Sequence, residues 1–374
     1  MPTEDLVLMK RDWKRQKFSI LTLLVTAIIS ALIGGFSGQR FGSGASSNEL
    51  VSSAVGSTLT MLGDRRSAEP PSVKETVKTL EEWLVISQQS PTTAQVDAFL
   101  ESRGRDAESL VSMFKLTNDQ TLLREAMRDY PDEVLVQATV VLHEAESGPE
   151  LRKWADRWVE SDPDNALARY LTAGTKAKDD PASAVEDLVA AMSIHRKDNH
   201  RAGMLINQSA FYESIGMPSV IAQVAAATKL GTPEIGPLRK TAVAISDYAM
   251  QQREGGDTKE ADRAIAATLA MGQRFTQEST TILESLVGLS MEKIALRGLD
   301  PAGELPAFMD RSVEDYQASL DAHSRDIKAV MKDPFETMQA LSNESDLLEY
   351  MRRLHELGEV SALRWLEGQK NQAP

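Results

Sequence analysis

The chain has 374 residues, of which 42% are hydrophobic and 26% charged, a balance that excludes a disordered polymer. Its net charge of −14 disfavours binding to phosphate backbones, so no nucleic-acid partner is expected. It contains no cysteine, which removes disulfides, thiolate nucleophiles, cysteine zinc sites and cysteine lipidation.

In chain order, residues 1–17 form a short basic tail. Lys10, Arg11, Lys14, Arg15 and Lys17 stand against Glu4, Asp5 and Asp12, a local net of +2 that leaves −16 for the rest. Phe18 to Phe36 then runs without Asp, Glu, Lys or Arg. As a helix it is about 28 Å long, close to the hydrocarbon thickness of a bilayer. It is longer than the apolar core of a cleaved signal peptide, and Gly42-Ser43-Gly44, the nearest small-x-small site, lies well beyond its end. The reading is an uncleaved, single-pass signal anchor. The basic flank keeps the N-terminus in the cytoplasm and the remainder extracytoplasmic, periplasmic in a Gram-negative cell. Ser30, Gly34 and Gly38 are spaced four apart, a small-residue ridge through which two such helices could pair as a homodimer by Gly34 and Gly38.

Residues 37–71 read as a flexible linker, Gly/Ser-rich at first and stiffened by Pro70-Pro71. Residues 72–374 read as helix after helix with no strand. Ser72 and Glu75 form a capping box, and Val73, Val77, Leu80 and Leu84 follow on one face. Ser90-Pro91, Asp162-Pro163, Asp180-Pro181, Asp300-Pro301 and Asp333-Pro334 each place an N-cap acceptor before a first-turn proline. Leu151, Trp154, Ala155, Trp158 and Val159 make one apolar stripe; Leu167, Tyr170, Leu171 and Gly174 another; Val185, Leu188, Val189 and Met192 a third. After 275 the helices are expected to lengthen, over Thr276–Arg297 and Arg311–Lys332, as a terminal cap.

The strongest pattern is an internal repeat. Pro131-Asp132-Glu133 recurs as Pro163-Asp164-Asn165 and Gly148-Pro149 as Asp180-Pro181, both 32 residues on. Asp164-Asn165 recurs as Asp198-Asn199 at 34, and Pro181 as Pro218 at 37. Two helices per such period predict an α-solenoid of helix-turn-helix units, clearest over 131–272.

These residues resemble the tetratricopeptide-repeat family. Asp162-Pro163-Asp164-Asn165-Ala166 is similar to its inter-repeat segment, and Gly256-Asp257-Thr258-Lys259-Glu260-Ala261 to the turn entering its second helix. Ala184, Ala191 and Ala261 fall at its small positions. Where its first helix carries Trp, Leu, Gly and Tyr, this chain has Arg169, Thr172, Ala173 and Lys176. The resemblance is therefore to a divergent member or a relative of the same architecture, and it implies a groove for protein or peptide partners.

For catalysis the candidates are few. His143, His195, His200, His323 and His355 form no His-x-x-x-His pair; His195 and His200 flank a turn, and His323 falls in line with Val313, Tyr316, Leu320, Ile327 and Val330 as a half-buried packing residue. Glu101-Ser102-Arg103 resembles the motif that some lytic transglycosylases combine with an α-solenoid, with Glu101 as general acid, but the later Gly-Leu-Met-Gln-like segment has no counterpart. Trp154 and Trp158 read as core packing rather than a stacking platform. Asp179-Asp180 and Gly255-Gly256-Asp257 read as turns, since neither continues as a calcium loop. No catalytic, cofactor-binding or metal-binding residue is assigned. The expectation is an all-α, membrane-anchored protein-binding scaffold. A structural subunit of an envelope assembly and a glycan-cleaving enzyme using Glu101 are the alternatives.

Overall fold

The computed structural model describes residues 90–143, 148–305, 309–330 and 344–370. The basic tail, the 18–36 stretch with Gly34 and Gly38, the linker and the Ser72–Glu75 box lie outside these residues. Among the described residues no helix is long and apolar enough to cross a membrane.

The described chain is mainly helical, with fifteen helices. The first four are α1 (Thr93–Ser102), α2 (Ala107–Thr117), α3 (Gln120–Asp129) and α4 (Val134–His143). Next come α5 (Pro149–Ser161), α6 (Ala166–Lys176), α7 (Pro181–Met192), α8 (Arg201–Ser214) and α9 (Ser219–Lys229). Two long helices follow, α10 (Ile235–Glu254) and α11 (Thr258–Gln277), then α12 (Ile282–Ala295). A short antiparallel ribbon, β1 (Glu304–Leu305) and β2 (Met309–Ser312), precedes α13 (Val313–Val330), α14 (Glu344–Leu357) and α15 (Glu359–Lys370).

Local chemistry explains most helix starts. Thr92 caps α1 in a reciprocal box with Gln95; Asp106, Asp119, Asn165, Asp180 and Asp257 each accept a backbone N–H at the start of α2, α3, α6, α7 and α11. The 32-residue recurrences fall at equivalent places. Pro131 and Pro163 precede α4 and α6, while Pro149 and Pro181 are the first residues of α5 and α7.

Several expectations are corrected. Of the Ser/Asp-Pro pairs that can be placed, only Asp180-Pro181 starts a helix as predicted. α1 begins two residues after Pro91, and Asp162-Pro163 is a turn because Asp162 is engaged by Asn165. Asp300-Pro301 opens a turn before the ribbon, a strand pair that the helical reading missed. The expected helix over Thr276–Arg297 is broken at 278–281, where Thr281 and Glu284 form a second capping box and start α12. The long helices are α10 and α11, twenty residues each, ahead of the predicted cap. The helix expected from Arg311 begins at Val313, after β2.

The core is in two clusters. α1–α3, α8 and α9 enclose one, built on Phe99, Leu110, Met113, Phe114, Phe211 and Tyr212. α5–α7 and α10–α15 enclose the other. α4 lies between them: Val136 and Val140 face the first cluster, while Ala138, Val141 and Leu142 face the second. α4 and α6 are accordingly buried round most of their circumference.

Backbones touch where α11 crosses α12. A Cβ on Gly288 would stand 2.5 Å from the Thr276 nitrogen and 2.8 Å from the Gly272 carbonyl, so only glycine permits this approach.

Candidate functional site

Buried charge concentrates on the connector between α7 and α8, residues 193–200. Asp162 caps the C-terminus of α5, and Pro163-Asp164 turns the chain into Asn165, the cap of α6. Asn165 then holds the connector. Its Nδ2 donates to the Asp198 carbonyl at 2.9 Å and to Asp162 Oδ2 at 3.0 Å, and its Oδ1 accepts the Asp198 N–H at 3.0 Å. The Ala166 N–H donates to the Arg196 carbonyl at 2.9 Å, completing a parallel bridge. On the other side Arg274 of α11 donates to the carbonyls of Ile194 and His195. Lys197 lies 4.3 Å over the Phe275 ring and donates to the Glu278 carbonyl at 3.2 Å. The connector is thus bolted to α5–α6 and to α11.

Arg196 bridges the carboxylates of Asp162 and Asp198. His200, 2% exposed, lies beside both: Nδ1 is 3.4 Å from Asp198 Oδ2 and Nε2 is 3.6 Å from Asp162 Oδ2. Burial, and then the Arg196 charge, push the imidazole well below the ordinary histidine range. Burial raises the Asp198 carboxyl. His200 also has φ +50, in the left-handed region, and starts α8 without a side-chain cap.

A second buried acidic group adjoins. Asn199 Nδ2 donates to Glu234 Oε1 at 3.1 Å. Burial, reinforced by the nearby Glu284 charge, raises the Glu234 carboxyl to about 6. Glu284 accepts the N–H groups of Thr280 and Thr281, and Glu359 accepts that of Ile282 at 2.8 Å. Glu359 returns its own N–H to the Thr280 carbonyl at 2.9 Å, fastening α15 to the α11–α12 turn. Beside this clamp is a polar cleft of about 170 Å³, lined by Thr276, Thr280, Ser285, His323, Glu359 and Arg364.

These groups hold backbone and one another; they are latches joining distant segments. Among the described residues no set of three His, Asp or Glu side chains is placed to hold a metal ion.

Glu101 is exposed in the last turn of α1. Trp158 is fully buried and Trp154 packs against both clusters. His143 stacks edge-on to Phe114 at 4.7 Å. His195 is exposed and His200 buried, so the two do face apart. His323, expected half-buried, is exposed; Val313, Tyr316, Leu320, Ile327 and Val330 fill that face without it. Asp179 pairs with Arg152 at 2.6 Å, and Asp180 and Asp257 are helix caps.

The connector node was only partly visible in advance. Asp198-Asn199 stood out as an echo of Asp164-Asn165, but the pairing of one copy of the echo with the other was not foreseen. No protein-family model, curated protein or solved structure matches the chain.

Proposed function

We propose that the chain is a membrane-anchored, extracytoplasmic protein-binding or scaffold module. Residues 18–36 are its bilayer anchor, 37–71 its linker, and the helical body a divergent α-solenoid of the tetratricopeptide-like kind. The observation that carries this reading is the agreement between sequence period and helix starts: recurrences at 32 residues fall before α4 and α6 and at the first residues of α5 and α7. Stacked helix pairs of this kind bind by surface complementarity, and tethering raises the partner's effective concentration at the membrane. Because α4 and α6 are buried on most sides, the partner meets the exposed faces of the outer helices, such as the Glu150, Lys153, Asp156, Arg157 and Glu160 face of α5, rather than a groove along α6.

The topology is tested with single cysteines, since the chain has none of its own. In right-side-out membranes a membrane-impermeant maleimide is expected to label the exposed Ala94→Cys position directly and Thr3→Cys only after permeabilisation. The reverse pattern would overturn the orientation.

A further inference from the structure

The α8–α9 pair is out of order. In a stack built in chain order it would pack between α6–α7 and α10–α11. Instead those two pairs meet directly. A Cβ on Gly174 of α6 would stand 2.7 Å from Thr241 Oγ1 of α10, and the Tyr170 and Phe275 rings of α6 and α11 lie 6.3 Å apart. The displaced pair reaches back across about a hundred residues of sequence to α1 and α2. Phe211 meets Phe99 edge-on at 5.6 Å, Asn207 Nδ2 donates to Glu108 Oε2 at 2.9 Å, and Gln208 Nε2 donates to the Ser112 carbonyl at 3.3 Å.

Its base is closed on itself. Asn199, just before α8, bonds Glu234, just before α10, and Arg201 donates to the Gly231 carbonyl at 3.4 Å. Entry and exit are therefore side by side, and both sides of the base are also fixed to the body. The connector before it is bolted by Asn165 and Arg274, and α10 after it packs on α6. Neither α8 nor α9 begins with a side-chain cap, nor does α10. The seat itself is partly polar: buried Ser112 Oγ, Gln208 Oε1 and Ser209 Oγ find no partner among the described residues. The buried face of α9 is mostly small, with Ala222, Ala225 and Ala226 beside Ile221.

We infer that α8–α9 is an exchangeable arm, and that two copies of this chain associate by swapping it, the arm of one copy seated on α1–α2 of the other. The occupant is a second copy because the seat is complementary to this hairpin: Glu108 awaits an amide at 207, the Ser112 carbonyl one at 208, and the Phe99 ring an aromatic edge at 211. Swinging about the closed base leaves the α6–α7 and α10–α11 packing intact. The exchange reproduces every seat contact between copies and adds nothing foreign.

The test uses the full-length protein, with two differently tagged chains co-expressed, one carrying Glu108→Cys and the other Asn207→Cys. A short bismaleimide is expected to yield a product bearing both tags. Its share should rise with protein concentration. The double variant on one chain, at high dilution, reports the same contact within a chain. If the double variant crosslinks internally while the mixed single variants give no doubly tagged product at any concentration, arm exchange is refuted. If the double variant fails to crosslink internally, the α2–α8 contact is absent and the proposal falls with it.

Discussion

Asn165 and Asp198 are bonded twice, the side-chain amide of the first to the main chain of the second, with donor–acceptor distances of 2.9 and 3.0 Å. Each residue belongs to one copy of the same Asp-Asn sequence echo, so the two copies of the echo are bonded to each other. Replacing Asn165 by Ala strands the Asp198 N–H and carbonyl, the Leu167 N–H and Asp162 Oδ2 in a buried place. The expected loss is about 2–4 kcal/mol, measured by denaturant titration of the solubilised protein. Asn165→Asp is expected to cost at least as much, since it sets a third carboxylate beside Asp162 and Asp198.

At the α11–α12 crossing, Gly288→Ala must drive backbones apart, because the new methyl group meets the Thr276 nitrogen and the Gly272 carbonyl rather than a flexible side-chain end. A destabilisation of about 1–3 kcal/mol is expected. Gly203→Ala in α8 is the contrast. Nothing lies within 4 Å of its added Cβ, so the reduced chain entropy should leave stability unchanged or raise it by about 0.5–1 kcal/mol. Equal losses in the two thermal melts would contradict the crossing.

Burial raises four carboxyls: Asp198, Glu234 to about 6, Glu292 and Glu359. A raised acid binds more protons folded than unfolded, so stability falls as pH rises from the ordinary carboxylate range through about 6. His200, depressed by burial, acts in the opposite sense, losing stability as pH drops below its ordinary value. Lys115 and Lys229, also depressed by burial, act in the same sense as His200, so the Glu234 contribution is isolated by comparing the melting temperature of the parent and of Glu234→Gln between pH 5 and pH 7.5. Glu234→Gln should flatten the part of the slope nearest pH 6. A Glu234→Gln profile that runs parallel to the parent's would contradict this assignment.

Glu101→Gln is expected to leave the thermal melt and cell-wall phenotype unchanged, since the side chain is exposed in the described residues. Loss of turnover on a glycan polymer would instead revive the enzymatic alternative.

What could be read in advance was whatever is written locally. The cap at Asp180 and the stripes of α5 to α7 depend on residues within one or two turns. The break between α11 and α12 was equally local, carried by Thr281 and Glu284, and was overlooked because the surrounding apolar spacing continues through it. The displaced α8–α9 pair could not be read. Its own pattern fits a repeat, and only the contacts of Phe211 with Phe99 and of Asn207 with Glu108, about a hundred residues away, send it elsewhere. His323 failed for a related reason: helical spacing puts it near the apolar row, but the neighbouring helices cover only the side of α13 that carries Leu320 and Ile327.

The central claim is that the helical body captures a protein at the membrane surface. The most direct measurement is crosslinking of full-length protein in its native membrane from single photoreactive residues at Lys153 and Asp156 on α5, followed by mass spectrometry of the adducts. The account predicts one recurring protein partner from these positions, lost when the helical body is removed and the anchor and linker are kept. Adducts that are unchanged by removing the body, or that are lipid alone, would contradict it.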